Sequence, residues 1–280
     1  MMTKTKPKKV AGKVAVIAKR KFDVAVVYGD IHDPFCDEPV FHMFLEALEL
    51  IKPNILIENG DGLDFYQLSS FSKDPRRALE LSTDRVVFVN HRLMIKSVVS
   101  RKCHKIYLAG NHEARLQRYL CDKAPELAGL AEFAPERFLQ LDIMQWDYYP
   151  NFGKRLPEAQ LGNLTVTHGH IVRKHSGYSA HAMQDELGCS VLCNHTHRLG
   201  SYWKTDSKTT HAAFENGHLY DPTKVDYESG AVNWQQGFSV VMVDRETGWF
   251  RVEQIPIVKV PNTNKKRMLL HEGILECVSA

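Results

Sequence analysis

An α/β fold, with two mixed β-sheets packed face to face as a sandwich and flanked by helices, is what this sequence predicts. Three observations predict it. Strand-like and helix-like segments alternate through the first half of the chain. Three of those strands run directly into a short cluster of acid, amide and histidine residues. The second half is then richer in strands than in helices.

Taken in order, residues 13–19 and 23–28 are rich in Val and Ala and read as strands, the second ending at Gly29-Asp30. Asp37 suits a helix cap, with Pro39 in the first turn and Phe41, Phe44, Leu45 and Leu48 at helical spacing as far as Lys52-Pro53. A strand at 54–57 ends at Gly60-Asp61, a long helical pattern covers 78–100, and a strand at 105–108 ends at Gly110-Asn111. The carboxyl ends of strands in an open α/β sheet are where converging loops build ligand sites, so a site along one sheet edge is expected. Strands follow at 164–167 before His168, at 190–193 before His195, and at 199–203, 211–214, 238–243 and 249–255. The last two are joined by Asp244-Arg245-Glu246-Thr247-Gly248, a hairpin turn.

At 280 residues, 44% hydrophobic and 25% charged, the chain has a globular profile with a real core. Its organisation reads as a basic arm with a first strand (1–21), one catalytic domain (22–260) carrying additions at about 65–104 and 120–162, and a surface tail (261–280). The arm holds eight Lys or Arg and no acid, against 28 basic and 33 acidic residues elsewhere, and reads as a solvated segment. In the second addition Trp146, Tyr148, Tyr149 and Phe152 lie beside Lys154 and Arg155, a mixture that packs a subdomain or stacks bases; packing is the preferred reading. No apolar run approaches membrane-spanning length and no signal peptide is read, which together with six scattered cysteines points to the cytoplasm. Cys189 and Cys193 lack a second pair and read as thiols rather than zinc ligands.

The chemistry lies in five clusters in fixed order: Asp30-x-His32, Gly60-Asp61-x-x-Asp64, Gly110-Asn111-His112-Glu113, His168-Gly169-His170 and His195-x-His197. Carboxylate, imidazole and amide donors from separated loops are what a pair of divalent cations needs, since no single loop supplies enough of them. Asp30 and His32, two apart on an extended segment, should point the same way and grip one cation. Asp61 is the candidate bridging carboxylate. Mixed imidazole and carboxylate donors suit Mn, Fe, Co, Ni or Zn, with Mn²⁺ the expected activator, and disfavour Mg alone. Single histidines such as His42, His91, His104, His211, His218 and His271 read as surface or packing residues.

This order of motifs, over about residues 22–220, resembles the calcineurin-like metallophosphoesterase superfamily. The resemblance implies the two-sheet fold and assigns Asp30, His32, Asp61 and His197 to one metal and Asp61, Asn111, His168 and His195 to the other. It implies that His112 gives the leaving group a proton and that Asp64 orients His112. In that family a glycine usually precedes the last histidine pair; Asn194 stands there, and Asn tolerates unusual backbone angles. Two cations lower the pKa of a water between them and neutralise charge growing on phosphoryl oxygens. Protein phosphatases of the superfamily carry Arg directly after the second Asp, where Phe65 stands here. The expected activity is therefore phosphodiester hydrolysis, on DNA, RNA or nucleotides, as a phosphodiesterase or nuclease. A phosphomonoesterase is the alternative, and a non-catalytic scaffold of the same fold a third. Arg115, Arg198 and His170 are the candidate substrate contacts.

Overall fold

The structure is a computed structural model and describes residues 22–70, 73, 80–151, 156–225, 232–271 and 273–278. The basic arm with its strand at 13–19, and Phe152, Lys154 and Arg155, lie outside the described residues.

Strand β1 (Phe22–Tyr28) sends alternate side chains to opposite faces: Val26 and Tyr28 into a core beneath helices, Ala25 and Val27 into a core between two sheets. Helix α1 (Glu38–Ile51) begins where the Asp37 carboxylate accepts the Val40 N–H at 3.4 Å, and buries Phe41, Phe44, Leu45 and Leu48. β2 (Ile55–Glu58), α2 (Leu81–Val98), β3 (His104–Leu108), α3 (Glu113–Lys123), a short α4 (Pro135–Phe138) and β4 (Asp147–Tyr149) follow. β1 to β4 are parallel; β10 (Gln236–Asp244), β11 (Phe250–Lys259), β12 (Lys265–Leu270) and β13 (Gly273–Val278) extend the sheet antiparallel, in the order β13-β12-β11-β10-β1-β2-β3-β4. The second sheet orders β5 (Glu158–Leu161), β6 (Leu164–Thr167), β7 (Ser190–Cys193), β9 (Thr210–Glu215) and β8 (Gly200–Thr205), with α5 (Tyr178–Leu187) on its outer face. The predicted helix–sheet–sheet–helix layering is what forms, and the Asp244–Gly248 turn joins β10 to β11.

β12 and β13, expected within a surface tail, instead pair antiparallel on the edge of the larger sheet. Met268, Leu270, Leu275 and Cys277 face the helix-side core while Leu269 and Ile274 are exposed. The two segments expected as additions are likewise woven into the sheets. α2 is the crossover from β2 to β3, and β4 and β5 are edge strands of the two sheets. In the aromatic stretch, Trp146 and Tyr148 pack on the helix-side core and Tyr149 is exposed.

α2 also carries Arg92, fully buried beneath the motif loops. Its guanidinium pairs with Asp33 and Glu58 and lies over the Phe88 ring at 3.7 Å; His91 Nδ1 reaches Asp33 at 2.7 Å and the Tyr28 hydroxyl donates to Glu58 at 2.9 Å. Removing the cation leaves Asp33 with His91 and Glu58 with the Tyr28 hydroxyl but no guanidinium between the two buried carboxylates, so Arg92→Met is expected to cost about 3–5 kcal/mol of stability in urea unfolding.

Candidate active site

The motif loops sit at the carboxyl ends of β1, β2, β3, β6 and β7. The first two run side by side, with N–H to O=C bonds from Asp30 to Gly60, His32 to Asp61 and Asp33 to Gly62, all within 3.0 Å. They are not extended segments, as Asp30-x-His32 was expected to be. Asp30, His32, Asp61, His195 and His197 all take left-handed backbone angles, with φ of 50°, 51°, 53°, 74° and 58°. Asp, Asn and His enter this region most readily among non-glycine residues, at a cost of about 1–3 kcal/mol each, and such positions cluster at functional sites.

Three imidazoles are held in the same way. His32 Nδ1 meets the Asp64 carboxylate at 3.1 Å, His168 Nδ1 meets the Asn59 carbonyl at 2.6 Å, and His197 Nδ1 meets the Tyr220 hydroxyl at 2.8 Å. The Asp64 carboxylate and the Asn59 carbonyl take the Nδ1 protons of His32 and His168, the Tyr220 hydroxyl stands in the same place behind His197, and each Nε2 is turned inward, the arrangement of metal-ligating histidine.

The inward atoms form two groups. Asp30 Oδ1 lies 3.8 Å from His32 Nε2 and 3.5 Å from His197 Nε2, and those two nitrogens are 3.4 Å apart. Asp30 Oδ1 is buried and accepts no hydrogen bond. Donors on one tetrahedral ion with bonds near 2.1 Å stand about 3.4 Å apart, so the unmatched oxygen and its neighbours fit a cation. In the second group His168 Nε2 is 3.2 Å from both Asp61 Oδ2 and Asn111 Oδ1, and the His195 ring lies 5.3 Å from the His168 ring. One carboxylate, one amide oxygen and two imidazoles again suit a divalent transition metal. The structure groups Asp61 with His168 and His195, and its charge also bears on His32.

Burial opposes a charge on His168, but Asp61 and Asp30 more than offset it and hold its pKa up at about 10. A proton therefore stands where a cation would. Burial and the His168 charge push His195 down to about 4, so its lone pair is free at neutral pH. The proton on His168 is retained below pH 10 and lost above it. Metal must displace it, so Mn²⁺ affinity is expected to rise about tenfold per pH unit for this group as pH climbs toward 10, with proton release measurable by calorimetry in buffers of different ionisation enthalpy.

His112 opens α3 beside this centre, its Nε2 3.7 Å from Asp61 Oδ2. Its Nδ1 donates to the backbone carbonyl of Asp64 at 2.8 Å, with the Asp64 carboxylate at 3.5 Å, since that carboxylate is engaged by His32. The expected His112–Asp64 pairing is thus made through the main chain. Arg115 donates to His112 Nε2 at 3.0 Å and to the Asp64 carbonyl at 2.8 Å. Burial, reinforced by His32 and Arg115, pushes His112 down to about 3.

The other two candidate contacts are placed differently. Arg198 donates to the carbonyls of Arg173 and Lys174 and braces that loop. His170 is half exposed and faces Glu186 at 3.4 Å. Phe65, where an arginine would clamp phosphate, is fully buried and packs against Phe138.

Sequence reasoning left Glu113 without a role. It is buried, and its carboxylate accepts from the backbone of Gly110, Asp61 and Gly62 and from the Tyr107 hydroxyl, which clamps the β2 and β3 loops together. Its place in Gly-Asn-His-Glu was the available signal. Tyr220, behind His197, carried none. His91 and His218, read as surface or packing residues, are both buried, His91 within the Arg92 network and His218 against Tyr220 with ring centres 4.1 Å apart. Asn194 does not have a positive φ; it occupies the place of a glycine because its side chain is used, as developed below.

A two-sheet α/β sandwich with paired His/Asp groups at the carboxyl ends of its strands defines a metal-dependent phosphoesterase. Residues 24–239 match the model of the calcineurin-like phosphoesterase family, and the chain belongs to that family. It is similar to the Gene 54 protein of Mycobacterium phage D29, 28% identical over 246 residues that cover 83% of this chain and 93% of that one. Among solved structures it is similar to Vps29 of Chaetomium thermophilum (8% identity, TM-score 0.41, 92% and 98% of the two chains). It is also similar to the nuclease MPE of Pseudomonas putida (12% identity, TM-score 0.36, 79% and 85%). No helix among the described residues is long and apolar enough to cross a membrane.

Proposed function

We propose that this chain hydrolyses phosphodiester bonds, in nucleic acid or nucleotides, at a centre of two divalent transition-metal ions, with Mn²⁺ as the activating ion in vitro. The observation that carries the reading is the set of imidazoles whose Nδ1 is held from behind and whose Nε2 faces the orphaned Asp30 Oδ1 or the Asp61 carboxylate. Asp30, His32 and His197 would hold one ion and Asn111, His168 and His195 the other, with Asp61 as the carboxylate available to both. When bound, the ions supply positive charge for the phosphoryl oxygens and an activated water.

The protein's own residues do the rest. Arg115 engages the phosphoryl group, which frees His112 Nε2 from its hydrogen bond. His112, held at Nδ1 by the Asp64 carbonyl, then takes a proton from solvent on the uncovered Nε2 and passes it to the departing oxygen. Diesters are favoured because Phe65 leaves no guanidinium for the second charge of a monoester at that position, and because Arg115 neutralises a single negative charge. Arg118, on the exposed side of α3 with its guanidinium 3.2 Å from the Asn111 carbonyl, offers an adjacent phosphate contact of the kind a polynucleotide uses.

The test compares nitrophenol release from bis-nitrophenyl phosphate and from the monoester, with Mn²⁺ and after chelation. Diester preference supports this reading. Monoester preference replaces it with a phosphomonoesterase, and silence with every metal replaces it with a scaffold. Cleavage of single- and double-stranded DNA then tests the nucleic-acid assignment, and turnover of dinucleotides alone would confine it to small diesters.

A further inference from the structure

We infer that Asn194 is a positioning residue for the metal centre: it fixes the Asp30 carboxylate and, through Asn59, ties it to the frame that holds His168. The inference rests on the reading of the site as a metal centre.

Asn194 lies at the end of β7, fully buried, with every hydrogen-bonding position of its carboxamide matched. Its Nδ2 donates to Asp30 Oδ2 at 2.9 Å and to the Gly217 carbonyl at 3.2 Å. Its Oδ1 accepts from Asn59 Nδ2 at 2.9 Å and from Asn216 Nδ2 at 3.4 Å. The orientation of the amide is fixed by this pattern, since a reversed amide would set its oxygen against the carboxylate. The His195 N–H also reaches Asp30 Oδ2, at 3.2 Å. One oxygen of Asp30 is thereby fully engaged, and the other, Oδ1, is left unmatched and turned toward His32 and His197. The carboxylate is presented through one oxygen, in one orientation, before any ion arrives.

Asn59 extends the effect to the second group. Its Nδ2 also donates to the Thr167 carbonyl at 2.8 Å, and its own carbonyl accepts from His168 Nδ1 at 2.6 Å. A displacement of Asn194 therefore reaches Asp30 directly and His168 through one residue. Gly29 is part of the same device. A Cβ there would come 2.9 Å from Asn194 Nδ2 and 3.1 Å from the Asn59 carbonyl, so glycine is what lets the amide approach the Asp30 loop.

Groups that orient ligands from behind are typically worth about 10–100-fold in metal affinity. Asn194→Gly is expected to weaken Mn²⁺ binding about tenfold or more by titration calorimetry and to alter the visible absorption spectrum of the Co²⁺-loaded protein, while metal-free thermal unfolding stays cooperative. Gly29→Ala, which leaves Asn194 in place but crowds its amide, should weaken Mn²⁺ binding in the same direction and serves should Asn194→Gly not fold. Thr165→Val is the control, because Thr165 is buried on β6 and bonds Gln160 and Cys189, outside the Asn194, Asp30 and Asn59 network. It should leave Mn²⁺ affinity within about twofold. Unchanged Mn²⁺ affinity in folded Asn194→Gly or Gly29→Ala, or an equal loss in Thr165→Val, would overturn the inference. A parent protein that binds no Mn²⁺ would overturn the metal-centre reading itself, and this inference with it.

Discussion

Asp61→Asn is expected to lower diester hydrolysis by at least about a thousandfold and to reduce bound Mn²⁺ from two ions per chain to one or none. The substitution preserves shape. The remaining oxygen can still accept the His112 N–H that Asp61 Oδ1 takes at 2.9 Å, and the backbone N–H of residue 61 keeps its bond to Glu113. What changes is the edge facing the centre. Asp61 Oδ2 stands 3.2 Å from His168 Nε2 and 3.7 Å from His112 Nε2, and an amide would direct N–H groups there in place of a charged lone pair. His168 loses the main influence that holds its pKa near 10, so its proton no longer marks a place for a cation. Elemental analysis and bis-nitrophenyl phosphate turnover on the same sample check both halves. A variant that retains two ions and activity within tenfold would remove Asp61 from the shared position.

The candidate site was legible in the sequence because its residue types are rare in combination and each cluster follows an apolar strand. Reading which strands deliver them needs only periodicity, and the structure places Asp30, Asp61, Asn111, His168 and His195 at the ends of β1, β2, β3, β6 and β7. The conformation of those residues was not legible. Asp30 and His32 were read as extended, yet their angles are set by hydrogen bonds from the β2 loop, a pairing that no local pattern encodes. The same limit hid Asn194, whose value lies in Asp30 and Asn59, both more than a hundred residues away in sequence. The terminal strand pair was missed for a different reason. Its strands carry Leu269 and Ile274 on the exposed face beside a Lys265-Lys266-Arg267 run, which masks the period of two that Met268, Leu270, Leu275 and Cys277 obey. Arg92 carried no sequence signal, since nothing local to a charged residue in mid-helix reveals its buried partners Asp33 and Glu58.

For His112→Ala the expectation is the converse of that for Asp61: a rate loss of about 10²–10⁴-fold on polynucleotide with both ions retained. His112 is not one of the proposed ligands: its Nδ1 is on the Asp64 carbonyl and its Nε2 on Arg115, and its side chain borders the centre with Nε2 3.7 Å from Asp61 Oδ2 and its ring 4.5 Å from that of His32. Its removal leaves the Nδ1 supports of His32, His168 and His197 intact, so Mn²⁺ stoichiometry should not change. Burial, with His32 and then Arg115 adding to it, keeps the resting imidazole neutral, with its pKa down at about 3. An anionic phosphoryl group that draws Arg115 away would uncover Nε2 for a proton. The need for a proton then scales with the basicity of the departing oxygen. A nitrophenolate departs without one, whereas the alkoxide of a sugar does not. The defect of His112→Ala should accordingly be small on bis-nitrophenyl phosphate and large on DNA, and the ratio of the two losses measures the proton transfer separately from metal binding and folding. Equal losses on both substrates would mean that His112 positions Arg115 or the phosphate and transfers no proton.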